Sequence, residues 1–304
     1  MAHTVCLERQ RMLSYRSDPP TTSGVYEQFV SSKGITKAVE LTDDGVKVMW
    51  LSTPEHRRGK VLMYFHGGAY VKAALSGHLE IVHSQAERCK PRLAVCVVEY
   101  TLAPTECHPF QLQQAVSAIH HLQRVKKIKP SEIILAGDSA GGNLVAAVLL
   151  HSTLSHPRVT PLDLEEDNLA GAFLISPWVT FSLGSPSMTR NFYGDYLDPK
   201  ALSRAALQFV NGNEDSHSTL LKAAPESWKE IKTKDTAIVA GECEMMVDDI
   251  VQFADNLMEH NHKVALYIAA KEAHVQMVLN RSLKRGKSES EKYFERWLDD
   301  RLEG

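Results

Sequence analysis

The chain has 304 residues, of which 43% are hydrophobic and 23% charged, with a formal net charge of −3. That fits one large globular α/β domain, with or without a small lid, and sets aside nucleic acid or an acidic membrane surface as a partner. The five cysteines (Cys6, Cys89, Cys96, Cys107 and Cys243) are odd in number, widely spaced and never form a C-x-x-C pair, so reduced thiols are expected, with no disulfide framework and no zinc site.

The first ~30 residues are polar, carry a Pro19-Pro20 break and are expected as an arm or part of a lid. They lack the apolar stretch of a secretory signal, and no segment approaches the ~20 apolar residues of a membrane span. A cytoplasmic protein without a membrane span is the expectation. Residues 35–51 read as a hairpin turning at Thr42-Asp43-Asp44-Gly45. Strands are predicted at 61–65, 93–100, 132–138, 169–176, 235–241 and 263–270, and helices at 77–89, 111–126, 143–151, 246–259 and 287–302. Several strand runs are continuously apolar instead of alternating, as in strands covered on both faces by helices. The expected architecture is therefore α/β with a mostly parallel central sheet flanked by helices. Residues 178–225 break the rhythm with Ser, Asn, Asp and aromatics, and are expected as a helical insertion over the site. One domain over 1–304 is predicted, with cap elements at 1–34 and 178–225.

The sharpest chemical signal is Gly137-Asp138-Ser139-Ala140-Gly141, set between a predicted strand and a predicted helix. G-x-S-x-G alone arises often by chance; the strand before and helix after give it meaning. A serine on such an elbow stands clear of the sheet, and only small neighbours fit a turn so sharp. The second signal is His66-Gly67-Gly68-Ala69-Tyr70 after the strand at 61–65. Attack on a carbonyl creates a negative oxygen, and small residues let backbone N–H groups reach it. The expected oxyanion donors are Gly67, Gly68 and Ala140; His66 is expected to brace the loop.

Ser139 needs a base and the base needs an orienting acid, in the order Ser, acid, His along the chain. His274 follows the strand at 263–270 and is the topological choice among 14 histidines. The acid is expected from the segment after 235–241. Glu244 lies in the loop itself; Asp248 is the alternative, although it falls on the following helix, and Glu242 is a weaker third choice. Tyr70, Trp178, Phe181, Phe192, Tyr193 and Met277 are candidate pocket walls, each equally readable as core or lid packing.

These motifs together resemble the hormone-sensitive-lipase-like family of α/β-hydrolases, its fungal members most of all, from about residue 35 to the C-terminus. HGGAY stands where the family has H-G-G-G, GDSAGGN matches its nucleophile elbow, and VEYTLAPTECHPFQLQQA and LISPWV are similar to further family segments. Ala69 replaces the third glycine, and Glu-Met-Met replaces the family's Asp-Pro-Leu. The resemblance implies the α/β-hydrolase fold and a lid made of the arm and the insertion. It also implies a serine esterase cleaving esters of small acyl groups, for example acetyl esters of a hydrophobic natural product in secondary metabolism, with no metal and no organic cofactor. The expected partner is a small-molecule ester. A lyase or cyclase, an amidase or thioesterase, and a ligand-binding receptor remain as alternatives, and the oligomeric state stays open, a homodimer included.

Overall fold

A computed structural model of the chain describes residues 21–53, 59–260 and 263–303. The strands explain their own sequences. In β3 (Lys60–Phe65), Val61, Met63 and Phe65 enter one buried cluster, while Leu62 and Tyr64 enter another. The same division recurs in β2 (Lys47–Ser52), β4 (Leu93–Glu99) and β5 (Ile133–Asp138). Successive strand side chains point to opposite faces, and both faces are apolar because helices cover both.

The remaining strands are β1 (Ala38–Leu41), β6 (Gly171–Ile175), β7 (Thr236–Gly241) and β8 (Val264–Ala269), giving one eight-stranded sheet in the order β1-β2-β4-β3-β5-β6-β7-β8. The predicted hairpin is β1–β2; it and the β2–β4 pair are antiparallel, and the other pairs are parallel. One face is covered by α3 (Phe110–Arg124), α4 (Ala140–His151), α6 (Pro199–Val210) and α7 (Val247–His260). The other carries α1 (Thr22–Lys33), α2 (Ser76–Arg88), α8 (Gln276–Ser282) and α9 (Glu289–Leu302). A short α5 spans Pro186–Arg190.

Two elements depart from expectation. The supposed polar arm is, from Thr22 onward, a helix that buries Val25, Tyr26, Phe29 and Val30, with Tyr26 donating its hydroxyl proton to the Trp50 carbonyl at 2.9 Å. Its average polarity conceals an apolar stripe at helical spacing. Residues 1–20 of the expected arm lie outside the described residues. Helix α4 starts at Ala140, three residues earlier than predicted. Two glycines argue against a helix by propensity, but a Cβ on Gly141 would sit 1.9 Å from the Phe65 carbonyl oxygen, so close packing on β3 decides. Among the described residues no helix is long and apolar enough to cross a membrane.

Candidate active site

The parallel strands β3, β5, β7 and β8 all finish at one end of the sheet, where parallel α/β sheets place their ligand crevices. Ser139 follows β5 with φ 51° and ψ −115°, a strained backbone that α4 continues. Its Oγ lies 2.9 Å from His274 Nε2, in the loop after β8, and His274 Nδ1 lies 2.7 Å from Glu244 Oε2, in the loop after β7. A proton on Nδ1, held by the carboxylate, leaves the Nε2 lone pair for the serine hydroxyl. All three side chains are buried.

Burial works to lower the His274 pKa, yet the Glu244 bond and charge, aided by Asp195 and Asp138, outweigh it and hold the imidazole above its ordinary value. Burial pushes the Glu244 carboxyl up, against the pull of His274. Glu244 Oε1 makes no hydrogen bond among the described residues, and the Ser176 hydroxyl favours the charged form of the carboxyl. Asp248 does not join this group. It sits in the first turn of α7, ion-paired with Arg190 at 2.6 Å and accepting the Ser187 N–H. Glu242 is exposed and accepts the Lys271 N–H.

The loop after β3 corrects one expectation. The Gly67 N–H is already given to Asp138 Oδ1 at 2.8 Å, so it is not free for an oxyanion. Asp138, the residue before Ser139, is buried and also accepts from Tyr64 Oη at 2.7 Å and His78 Nε2 at 3.2 Å. His78 Nδ1 accepts the Leu75 N–H, which places its proton on Nε2. Burial raises the Asp138 pKa, but His78, Tyr64 and the Gly67 N–H pull it below the ordinary value. From Gly68 the backbone turns left-handed over three residues, with φ 117°, 53° and 62° at Gly68, Ala69 and Tyr70. No hydrogen bond from the Gly68, Ala69 or Ala140 N–H to a described residue outside the helices is present. His66 braces the loop as expected: its Nδ1 contacts the Gly67 carbonyl, its Nε2 contacts Thr22 Oγ1 at 3.0 Å, and its ring stacks on Tyr100. Burial, then His78, drives its pKa down to about 4.

The candidate pocket residues divide. Tyr70 and Trp178 are buried in the core on the α4 face, where Tyr70 stacks on Phe209 at 3.7 Å, and Met277 is buried on the opposite face. Phe181 is half-buried against Trp178. Tyr193 is 75% exposed and lines, with Phe192, Leu183 and Met188, a surface hollow of about 390 Å³. A larger cavity of about 1100 Å³ opens by Lys60, Leu93 and Glu132, where strands begin, at the opposite end of the sheet from Ser139.

Sequence reasoning missed several supporting residues. Asn143, within GDSAGGN, accepts the Tyr70 hydroxyl proton and donates to the carbonyls of Trp178 and Ser218. That motif could have drawn attention to Asp138 and Asn143; no local pattern marks His78 or Asp195. Among the described residues, His108, His156 and Asp215 form the one group whose possible ligand atoms lie within 4.8 Å of one another. His156 Nδ1 accepts the Arg158 N–H at 3.1 Å, so the proton sits on Nε2, the atom that would have to bind a cation. This group is a hydrogen-bond cluster, with both histidines donating to Asp215.

The sheet order and the strained serine between β5 and α4 define an α/β-hydrolase. A family model described as the alpha/beta hydrolase fold matches residues 62–278, and the chain belongs to that family, its motifs placing it with the hormone-sensitive-lipase-like members. It is 32% identical over 149 residues to an esterase of Acinetobacter venetianus, covering 49% of this chain and 44% of that protein. It is 30% identical over 165 residues to an acetyl-hydrolase of Streptomyces hygroscopicus, covering 54% and 51%. The chain thus spans about half the length of these curated relatives. A crystal structure of an esterase from the bacterial hormone-sensitive lipase family superposes with a TM-score of 0.73 at 22% identity, over 99% of this chain and 96% of that one, a likeness of fold.

Proposed function

We propose that this chain is a carboxylic ester hydrolase working through an acyl-enzyme on Ser139. The carrying observation is the relay Ser139 Oγ–His274 Nε2 at 2.9 Å and His274 Nδ1–Glu244 at 2.7 Å. Ser139 Oγ attacks the ester carbonyl carbon while its proton passes to His274 Nε2. Glu244 holds the imidazole tautomer and stabilises the imidazolium. The carbonyl oxygen becomes an oxyanion. Gly68 and Ala140 donate their N–H groups to it, with Ala69 taking the place first expected of Gly67. The C–O bond to the alcohol breaks, His274 protonates the departing oxygen, and water repeats the sequence on the acyl-serine. No step calls for a metal or organic cofactor.

The acyl group is read as small and the alcohol as bulky and apolar, on the strength of the Streptomyces relative being an acetyl-hydrolase and of the aromatics in 178–225. We assign 178–225 to the cap of a single domain. The test is hydrolysis of p-nitrophenyl esters from acetyl to dodecanoyl by wild type and Ser139→Ala, with intact mass of the protein trapped during turnover. Short-ester turnover, an acyl-sized mass gain and loss of both in the variant are expected. Turnover that survives in Ser139→Ala overturns the assignment.

A further inference from the structure

Between α5 and α6 the chain buries a carboxylate that the ester-cleavage cycle does not use. Asp195 has no exposed surface. Its Oδ2 accepts the N–H of Met245, the residue after Glu244, at 2.8 Å. Its Oδ1 accepts the N–H of Tyr196 at 2.7 Å and lies 3.4 Å from the N–H of His274. One side chain thus touches the backbone of both the acid loop and the histidine loop, which are not neighbours in sequence. The surrounding segment grips the acid loop further. Asn191 Nδ2 donates to the Glu242 and Glu244 carbonyls, and the Ser187 hydroxyl donates to the Met245 carbonyl. A buried charge is costly to keep unless it is hydrogen-bonded, and the N–H groups of Met245, Tyr196 and His274 are what hold this one, tying the segment to both loops.

We propose that Asp195 is a positioning residue that sets the register of the Glu244 and His274 loops and adds its charge to the field at the imidazole. The proposal rests on the Ser139–His274–Glu244 assignment above. The titratable groups around Asp195 are His274, Glu244, Cys243 and Tyr196; those facing His274 are Glu244, Asp195, Asp138 and Tyr196, whose ring centroid lies 6.2 Å from that of the imidazole. Burial raises the Asp195 pKa, and His274 with the three backbone N–H groups opposes that rise.

Asp195→Asn keeps the shape, removes the charge and turns an amide NH₂ toward one of the N–H donors. Misplacement of catalytic groups by about an ångström costs on the order of 100-fold, so kcat is expected to fall between about 10- and 100-fold with little change in KM. The acid limb of kcat/KM is expected to move to lower pH, because a negative charge favouring the imidazolium is gone. Asp195→Glu, which keeps the charge but displaces it, should lose kcat and keep the wild-type midpoint. Asp198→Ala removes the N-cap of α6, where its side chain accepts the Lys200 and Ala201 N–H groups; it should lower Tm and leave kcat and midpoint in place.

Wild-type kcat and midpoint in Asp195→Asn, with Ser139→Ala inactive, overturn the positioning role while leaving the triad standing. A loss in Asp195→Asn with no shift of midpoint makes Asp195 merely structural and overturns it too. Should Asp195→Asn fail to fold, Asp195→Glu decides, and wild-type kcat there refutes the proposal. Activity in Ser139→Ala removes the triad itself.

Discussion

His274 and His156 are each buried beside a carboxylate, and they end in opposite chemical states. Glu244 takes the Nδ1 side of His274, so Nε2 faces the Ser139 hydroxyl with a lone pair. Asp215 takes the Nε2 side of His156 while the Arg158 N–H occupies Nδ1, so no lone pair is left over. Asp215 also accepts from His108 and from the N–H groups of His217 and Ser218, which saturates it. A histidine with an acid is therefore not yet a base. Which nitrogen meets the acid decides, and that depends on the loop carrying each group.

The hardest test of this contrast is removal of each imidazole. His274→Ala and Ser139→Ala are expected to lower kcat on the order of 10⁴- to 10⁶-fold with unchanged Tm. His156→Ala should lower Tm and leave ester kcat within about threefold, as a residue remote from the reacting atoms. Equal kcat losses at the two histidines would erase the distinction. Next in size is the acid: Glu244→Gln should cost about 10³- to 10⁴-fold in kcat, and Asp248→Asn, which breaks a surface ion pair with Arg190, should stay within about threefold. The reverse ranking would transfer the acid role to Asp248.

A smaller effect sharpens the electrostatics. His274 must be neutral to accept the serine proton, and its pKa is held above the ordinary 6.5. The acid limb of kcat/KM should therefore have its midpoint above that value, falling about tenfold per pH unit below it; a midpoint below it would mean that burial outweighs Glu244.

The Asp215 cluster should respond in stability instead. Burial raises the Asp215 pKa, but the His108 bond and charge and the backbone N–H groups pull it well below the ordinary carboxylate value of 3.8. A depressed folded pKa contributes stability that is present above the unfolded value and lost as pH falls through the folded one. Asp215→Asn should thus cost about 1–3 kcal/mol at pH 7 from its unpaired donors. The difference in Tm between variant and wild type should shrink as the buffer is taken below the ordinary carboxylate range. The smallest expected effect is that of a chelator: because the His156 proton occupies the would-be ligand atom, EDTA should change neither Tm nor kcat. A fall in Tm on chelation would make the cluster a cation site.

Much of the sheet and the three relay residues was legible because each leaves a local mark. Strands buried on both faces read as apolar runs, Ser139 sits in a short motif, and Glu244 and His274 stand just after strands whose order the chain dictates. What stayed hidden was set by contacts across the sheet. Composition averaged away the apolar stripe of α1. Gly67 looked like an oxyanion donor until Asp138, 71 positions away, was seen to claim its N–H. Tyr70, Trp178 and Met277 have the side chains a pocket wall needs, and core packing needs the same ones. Asp195 lies 79 residues from His274, with no pattern in the chain to connect them.

Asn143 has a bearing on how such a protein can be inherited or rebuilt. Both of its amide hydrogens are spent on carbonyls of the segment that follows β6, those of Trp178 and Ser218. That segment is consequently not a detachable module. Trimming it, or exchanging it for a relative's version of different length, would strand two donors in the first turn of the helix that follows the nucleophile. Chimeras that aim to change substrate choice through residues 178–225 must carry replacement carbonyls for those two hydrogens, or change Asn143 in the same step.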